Sequence, residues 1–264
     1  PQISNTRHWN YDEAVLGLRQ ILWGLVKKLA MADSCAIIVD YIFSDPEYYA
    51  SGFGASTLIL GGILFSIQIY GDFSGYSDIA RGAAKVLGYN LMANFNRPYI
   101  SKSFTEFWSR WHISLSGWFQ DYIFQPIVWH SKNPAFAAYY AILTVFIVSG
   151  FWHGAAWTYV VWGLLHALFR MLEIYTRKAK KKFYKKLGVN TKGKIYGGFK
   201  IITTFALVCF TYIFFRANNL ADAMYIVEYY VQGADLTSYT KYDEKQFPAT
   251  IDANVTADTT RVIT

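Results

Sequence analysis

Long stretches without charged side chains constrain the fold of this sequence more than any other feature. Residues 48–71 and 133–169 contain no Asp, Glu, Lys or Arg, and the apolar residues 195–215 include only Lys200. A helix needs about 20 mostly apolar residues to cross roughly 30 Å of hydrocarbon. Charged residues make up 16% of the chain, against about 25% in typical soluble domains. We therefore predict an all-α, polytopic integral membrane protein rather than a soluble enzyme.

Basic charge is concentrated between two of these stretches. Residues 170–200 hold 11 basic side chains and one acidic side chain, Glu173, whereas the net charge of the whole chain is +7. Loops rich in Lys and Arg remain on the cytoplasmic side and are attracted to anionic lipid. We predict that residues 177–194 are cytoplasmic and that the acidic tail, 218–264, lies outside. This distribution indicates membrane lipid as a partner and argues against nucleic acid.

The uncharged stretch at 133–169 must contain a bend. Its 37 residues would reach only about 55 Å as one helix, which is short of two full crossings with a turn. The glycines of residues 149–154, Ser-Gly-Phe-Trp-His-Gly, place a re-entrant or broken helix there. Irregular backbone at membrane depth is tolerated only where it is buried in protein or lines a cavity. We expect His153 on the wall of a pocket.

A second histidine, His112, lies in a segment with helical periodicity. Residues 103–106, Ser-Phe-Thr-Glu, have the form of a capping box, which predicts a helix running from there to about residue 120. This helix would carry a polar stripe beside an aromatic face. The stripe is Thr105, Ser109, His112 and Ser116, and the face is Phe104, Trp108, Trp111, Leu115 and Trp118. His112 is therefore predicted to lie on a polar seam along an aromatic wall.

The two histidines suit acid–base chemistry more than metal binding. An ionisable group within apolar territory is costly to bury, so it is a functional candidate, and a neutral imidazole can take a proton from a hydroxyl. The alternative is a neutral buried histidine hydrogen-bonded to a carbonyl. His166 follows His153 by 13 positions, nearly the opposite face of a single helix, and no metal-ligand motif occurs. We predict no metal and no tightly bound cofactor.

Residues 72–78, Asp-Phe-Ser-Gly-Tyr-Ser-Asp, form a third motif. We predict that it breaks the preceding helix and that Ser77 caps a short helix ending at Gly88. The motif suits a solvated helix start and a functional site equally well.

Together these motifs resemble the membrane-bound O-acyltransferase family, and within it the alginate O-acetylase branch. The matching stretches are Trp23 to Asp33, Asp72 to Asp78, Asn96 to Tyr99, Ser103 to Tyr122 and Ser149 to Trp157. The resemblance covers about residues 11–219. We expect a partial acyltransferase core at 1–219, followed at 220–264 by an extracytoplasmic tail or the start of a further region, and we expect the chain to be a fragment.

The resemblance implies a helical bundle with a funnel through the membrane, in which His153 is the catalytic base and His112 its partner. It implies acetyl-CoA as the acyl donor, and an exported polysaccharide or an acetyl-relay protein outside the membrane as the acceptor. It also implies a multi-pass protein of a bacterial plasma membrane. Substrate-binding candidates from the matching motifs are Trp108, Arg110, Trp111, Ser116, Trp152, Asp72 and Asp78.

Two other functions remain open on the sequence. One is transfer of D-alanine toward teichoic acid, with a carrier protein as the donor. The other is a transporter in which His112 and His153 relay protons, which would move substrate without consuming a thioester.

Overall fold

The computed structural model describes residues 2, 4, 9–44 and 55–232, with side chains as far as residue 228. Regular structure in these ranges is entirely helical, as predicted. The α-helices are α1 (Tyr11–Leu25), α2 (Asp33–Ser44), α3 (Ala55–Val86), α4 (Phe104–Trp108), α5 (Ile113–Phe119), α6 (Gln125–Trp129), α7 (Pro134–His153), α8 (Trp157–Lys186), α9 (Lys194–Arg216) and α10 (Leu220–Gln232). Two π-helical segments, Val26–Ala32 and Gln120–Phe124, and one 3₁₀ turn, Pro98–Ile100, lie between them.

Three helices within the described ranges are long and apolar enough to cross a membrane. They are α3, α7 and α9. Helix α7 lies within the second apolar stretch of the sequence and α9 closely matches the third, while α3 covers the end of the first stretch and continues 15 residues past it to Val86. The first stretch begins at residue 48, and its residues before 55 lie outside the described ranges. Most of the predicted region 220–264 also lies outside them.

Helix α1 lies antiparallel against α3 through two pairs of glycines. A Cβ atom on Gly24 would stand 2.6 Å from the carbonyl oxygen of Gly75, and one on Gly17 would stand 2.6 Å from that of Gly82. Seven residues separate the two glycines of each helix, so both pairs occupy one seam. Such small residues let two helix backbones approach closely within a membrane.

Helix α3 continues through residues 72–78, so the predicted helix break at this motif is wrong. Gly75 serves the close approach of α1, and it leaves the helical hydrogen bonds of α3 intact. The helix ends at Val86, two residues before Gly88, whose φ of 79° is the left-handed conformation typical of helix ends.

The segment 103–120 forms two short helices, so the single predicted helix and its polar stripe are also wrong. The predicted capping contact is present, because the Ser103 hydroxyl accepts a hydrogen bond from the backbone N–H of Glu106 at 3.1 Å. However, α4 is only five residues long. Before α5 begins, His112 turns the chain with φ 43° and ψ 55°.

Helices α7 and α8 form an antiparallel pair, and the predicted break between them is confirmed. Gly154 follows the last residue of α7 with φ 154°, a conformation that side chains rarely permit. A Cβ on Gly150 would stand 2.6 Å from the carbonyl oxygen of Tyr159. The pair is therefore packed closely from the break onward, and α8 extends to Lys186 into the basic segment.

The main apolar core lies where α3, α4, α8 and α9 meet. Its buried members include Phe65, Phe107, Trp162, Val208 and Tyr212. The core also contains Trp111, the residue before the chain turn at His112, and Trp162 lies near the start of α8.

Candidate active site

His153 is the last residue of α7, and aromatic rings surround its imidazole. The centroid of its ring lies 4.9 Å from that of Trp152, 5.1 Å from Trp162 and 4.9 Å from Phe215. The ring is partly buried. Helices α7, α8 and α9 each contribute one wall, so the helix break places the histidine at a junction of three helices.

His112 also lies next to the indole ring of Trp152. Its ring centroid is 6.1 Å from that of Trp152 and 4.5 Å from that of Phe73 in α3. The Nδ1 atom of His112 is buried and has no hydrogen-bond partner among the described residues. The helix break and the chain turn thus bring both predicted histidines to one indole, and one of them has a free ring nitrogen.

The backbone of His112 is held in a sparsely populated conformation. A non-glycine residue in the left-handed region costs of the order of 1 kcal/mol and persists where its surroundings fix it. Asn94 fixes it here: its side-chain oxygen accepts from the N–H and the hydroxyl of Ser114, at 3.2 and 2.6 Å. The carbonyl oxygen of Asn94 also accepts from the N–H of Ile113 at 3.0 Å. Burial lowers the pKa of the His112 imidazole to about 4, so the ring is neutral near pH 7.

Of the predicted substrate-binding residues in the two histidine motifs, Trp152 lies beside the histidines, whereas Trp111 and Arg110 do not. Trp152 is 57% exposed, and its ring contacts both imidazoles. Trp111 is buried in the core and stacks on Phe107 with ring centroids 5.5 Å apart. Arg110 pairs with Glu106 at 2.7 Å. The structure therefore brings Trp152 to the histidines and places Trp111 and Arg110 in contacts that stabilise the fold.

Trp108 and Ser116 line a cavity of about 380 Å³ between α4, α5, α7 and α8. The hydroxyl of Ser116 donates to the carbonyl oxygen of Trp111 at 3.1 Å. Neither His112 nor His153 is part of the wall of this cavity. Ser149 is, and it lies one helical turn before His153 on α7.

Asp72 and Asp78 form ion pairs with the π-helical segment that follows α1. Asp72 pairs with Lys28 at 2.6 Å, and Asp78 pairs with Lys27. Between them in the sequence, Phe73 is the residue of the motif that contacts His112. The motif thus reaches the candidate site through an aromatic ring, while its carboxylates hold α3 to the preceding helices.

His166 was not among the predicted site residues, yet it lies one ring away from His153. It is fully buried and its ring centroid lies 4.8 Å from that of Trp162. The indole N–H of Trp108 donates to Nδ1 at 3.3 Å, so Nε2 carries the proton of the neutral ring and donates to the hydroxyl oxygen of Thr211 at 2.9 Å. From the spacing of 13 residues, the sequence analysis placed His153 and His166 on nearly opposite faces of one helix. The two residues lie on different helices, α7 and α8, so that argument does not apply.

Trp162 is the second residue that the sequence patterns did not identify. It is 3% exposed, and its Nε1 atom has no hydrogen-bond partner among the described residues. Its ring contacts both the His153 ring and the His166 ring, and so links the two imidazoles. The sequence did not indicate that Trp162, nine residues after His153, would contact it. Which residues of α8 share a face with His153 could be predicted only once the helix was known to begin at Trp157.

Comparison with known proteins gives a consistent result. A family model described as MBOAT, membrane-bound O-acyltransferase family, matches residues 3–217. "Probable alginate O-acetylase AlgI" from Pseudomonas aeruginosa is 35% identical over 226 residues, which is 85% of this chain and 40% of that protein. "Peptidoglycan O-acetyltransferase" from Helicobacter pylori is 33% identical over 85% of this chain and 40% of its own length. "Teichoic acid D-alanyltransferase" from Bacillus subtilis is 37% identical over 61% of this chain and 42% of its own. The chain spans about two fifths of the length of these curated relatives.

Proposed function

Because this chain belongs to the membrane-bound O-acyltransferase family, we propose that it forms the catalytic part of an enzyme that transfers an acetyl group from acetyl-CoA to hydroxyl groups of an exported polysaccharide. The observation that carries this proposal is the convergence of His153 and His112 on Trp152 at the break between α7 and α8. It places the proposed base beside a second imidazole, whose buried Nδ1 atom has no hydrogen-bond partner among the described residues.

In the proposed reaction, His153 accepts the proton of the acceptor hydroxyl while its oxygen attacks the thioester carbonyl carbon. The carbon–sulfur bond then breaks, and the proton passes from the imidazolium to the leaving sulfur, which departs as a thiol. His112 donates from its ring to the oxygen of the developing tetrahedral intermediate or orients the thioester. Cys35 and Cys209 lie outside both histidine motifs, which supports direct transfer without an acyl-enzyme on cysteine.

Acetyl transfer is favoured over D-alanyl transfer by the extent of the similarity. The two acetyl-transferring relatives each align with 85% of this chain, and the D-alanyltransferase aligns with 61%. We propose a multi-pass location in a bacterial plasma membrane, with the basic end of α8 in the cytoplasm, where acetyl-CoA is available. The acceptor side would then face outward, where a relay protein can complete delivery to the polymer.

Donor identity in a purified system tests this function. The intact protein in proteoliposomes is supplied with acetyl-CoA or with a D-alanyl carrier protein, and free thiol release, acylation of an alginate oligosaccharide and passage of the substrate across the bilayer are measured. We expect thiol release and acceptor acetylation only with acetyl-CoA, and loss of both in His153→Ala. Acylation only from the D-alanyl carrier would establish the alternative transferase, and substrate flux without thiol release would establish a transporter.

A further inference from the structure

The hydrogen bonds of His166 use both nitrogens of its ring and join three helices. Trp108 of α4 donates to Nδ1 at 3.3 Å, and Nε2 donates to the hydroxyl of Thr211 in α9 at 2.9 Å. That hydroxyl directs its own proton to the carbonyl oxygen of Val208 at 2.7 Å, so its oxygen is left to accept from the imidazole. Each proton in this series of bonds has its own acceptor. His166 is therefore better suited to holding α4, α8 and α9 together than to carrying a proton.

These two bonds of His166, to Trp108 and to Thr211, form what we call the His166 bridge, and the bridge has a rigid setting. His166 and Thr211 are both fully buried. The rings of Phe107 and Phe146 lie nearly parallel to the imidazole, with centroids 6.3 and 5.9 Å away. A hydrogen bond in such an interior is strong, and its groups are costly to leave unsatisfied. The bridge therefore fixes the position of α8 relative to α9 at this level.

The two rings that flank the proposed base lie one helical turn from the ends of the bond between α8 and α9. Trp162 precedes His166 by four residues, and Phe215 follows Thr211 by four residues. Because α8 and α9 run antiparallel, both steps lead toward His153. Trp162 and Phe215 each meet its imidazole edge-on, with centroids 5.1 and 4.9 Å away and interplanar angles of 89° and 80°. Their own centroids are 5.3 Å apart.

The direction of the His153 imidazole depends on these neighbours. His153 is the last residue of α7, and the backbone leaves the helix at Gly154 with φ 154°. A general base must lie within about 2.6–3.2 Å of the atom whose proton it takes. A misplacement of about 1 Å costs roughly 10²-fold in rate. The spacing of Trp162 and Phe215 thus bears directly on the chemistry.

We infer that His166 is a positioning residue for the proposed base. Through its bond to Thr211 it holds Trp162 and Phe215 at the spacing that keeps the His153 imidazole directed at the acceptor hydroxyl. The inference rests on the proposed transferase function, because it assigns a role to the residues behind the same site. His166 acts through the two rings and not on the substrate.

Two substitutions of Thr211 test the bridge without changing either histidine. Thr211→Val keeps the shape of the side chain and removes the acceptor, whereas Thr211→Ser keeps the hydroxyl. We expect Thr211→Val to lower kcat per folded molecule about 10- to 100-fold, less than His153→Ala, because the base is present but misaligned. The KM for acetyl-CoA should stay within about twofold, since donor binding does not need an aligned base. Thr211→Ser should restore most of kcat.

A double substitution shows whether the effect passes through the base. In a His153→Ala background, Thr211→Val should lower the remaining rate by less than about twofold, because no base is left to misalign. Val39→Ala is the control for lost stability, since Val39 is fully buried in α2 and its truncation opens a cavity. It should lower the melting temperature and leave kcat per folded molecule unchanged. A normal kcat in Thr211→Val, an equal loss in Val39→Ala, or an equal loss in both backgrounds would overturn the inference.

A chemical measurement separates this inference from the proposed function. Diethyl pyrocarbonate acylates neutral imidazoles, and mass spectrometry follows its reaction at His153 and at His130, which is exposed. We expect His153 to react at least about threefold faster in Thr211→Val, because its walls open more readily, while His130 and the Val39→Ala variant show no change. An unchanged rate at His153 would overturn the inference even in an active transferase. A faster rate in a protein that transfers no acyl group would refute the proposed function and leave the bridge standing.

Discussion

The hydrogen bonds of His166 allow a quantitative prediction about the support behind the candidate site. Because Nδ1 accepts from Trp108, the Nε2–H must donate, and its acceptor is the hydroxyl of Thr211 at 2.9 Å. Thr211→Val keeps the shape of the side chain and removes that acceptor. Both residues are fully buried, so the imidazole N–H is left unsatisfied, at a cost of about 1–3 kcal/mol. We expect the free energy of unfolding of the intact protein in SDS mixed micelles to fall by this amount.

The same helix offers a close control for this measurement. Thr203 is exposed, and its hydroxyl donates to the carbonyl oxygen of Phe199 at 2.9 Å, much as Thr211 donates to that of Val208 at 2.7 Å. Thr203→Val should therefore lower the free energy of unfolding by less than about 0.5 kcal/mol. Combining Thr211→Val with His166→Leu should cost less than the sum of the two single changes, because the double variant removes both partners. Equal losses in Thr211→Val and Thr203→Val would refute the hydrogen-bond assignment.

Four further predictions concern the site, the helix crossing and the topology. His153→Ala should lower the turnover number about 10²- to 10⁴-fold with binding of the donor retained; acetyl transfer per folded molecule measures this, and near-normal turnover would end the assignment of a base. His112→Gly should abolish most transfer without lowering the melting temperature, because glycine adopts φ 43° without strain, and a large drop in melting temperature would contradict this account. Gly75→Val should destabilise the protein through the 2.7 Å approach of a Cβ to the carbonyl oxygen of Gly24, whereas Gly198→Ala, with open space around it, should not; thermal unfolding of both variants compares them directly. Lys182→Cys should react with a membrane-impermeant maleimide only after the cells are opened, and labelling in intact cells would invert the proposed topology.

Features that depend on average properties of a segment were predictable from the sequence. The three helices that are long and apolar enough to span a membrane follow from uncharged runs whose length matches the bilayer, whatever their neighbours are. The presence of a break between residues 133 and 169 followed from a length argument of the same kind, because these 37 residues are too long for one crossing and too short for two crossings with a turn. The glycines of residues 149–154 then located it. The capping contact of Ser103 with Glu106 is local in sequence, and it was predictable for that reason.

Features that depend on partners distant in the chain were not predictable in the same way. The helical periodicity around His112 is real, but Asn94, about 20 residues earlier, provides hydrogen bonds that favour a chain turn over a continuous helix. Likewise, Gly75 weakens a helix on its own, and only the surface of α1 with Gly24 compensates for that cost. In both places a tertiary contact overrides a local preference.

The motif at residues 72–78 shows how a short stretch can serve stability and the site together. Its glycine and its two aspartates face α1 and the π-helical segment after it, where Lys27 and Lys28 pair with the carboxylates. Phe73, between them, packs its ring 4.5 Å from that of His112. Any shift of α3 along α1 would therefore move the ring that supports His112. The ion pairs and the glycine seam thereby help to fix the position of the His112 imidazole relative to that of His153. The two aspartates act on the site through α3 and Phe73.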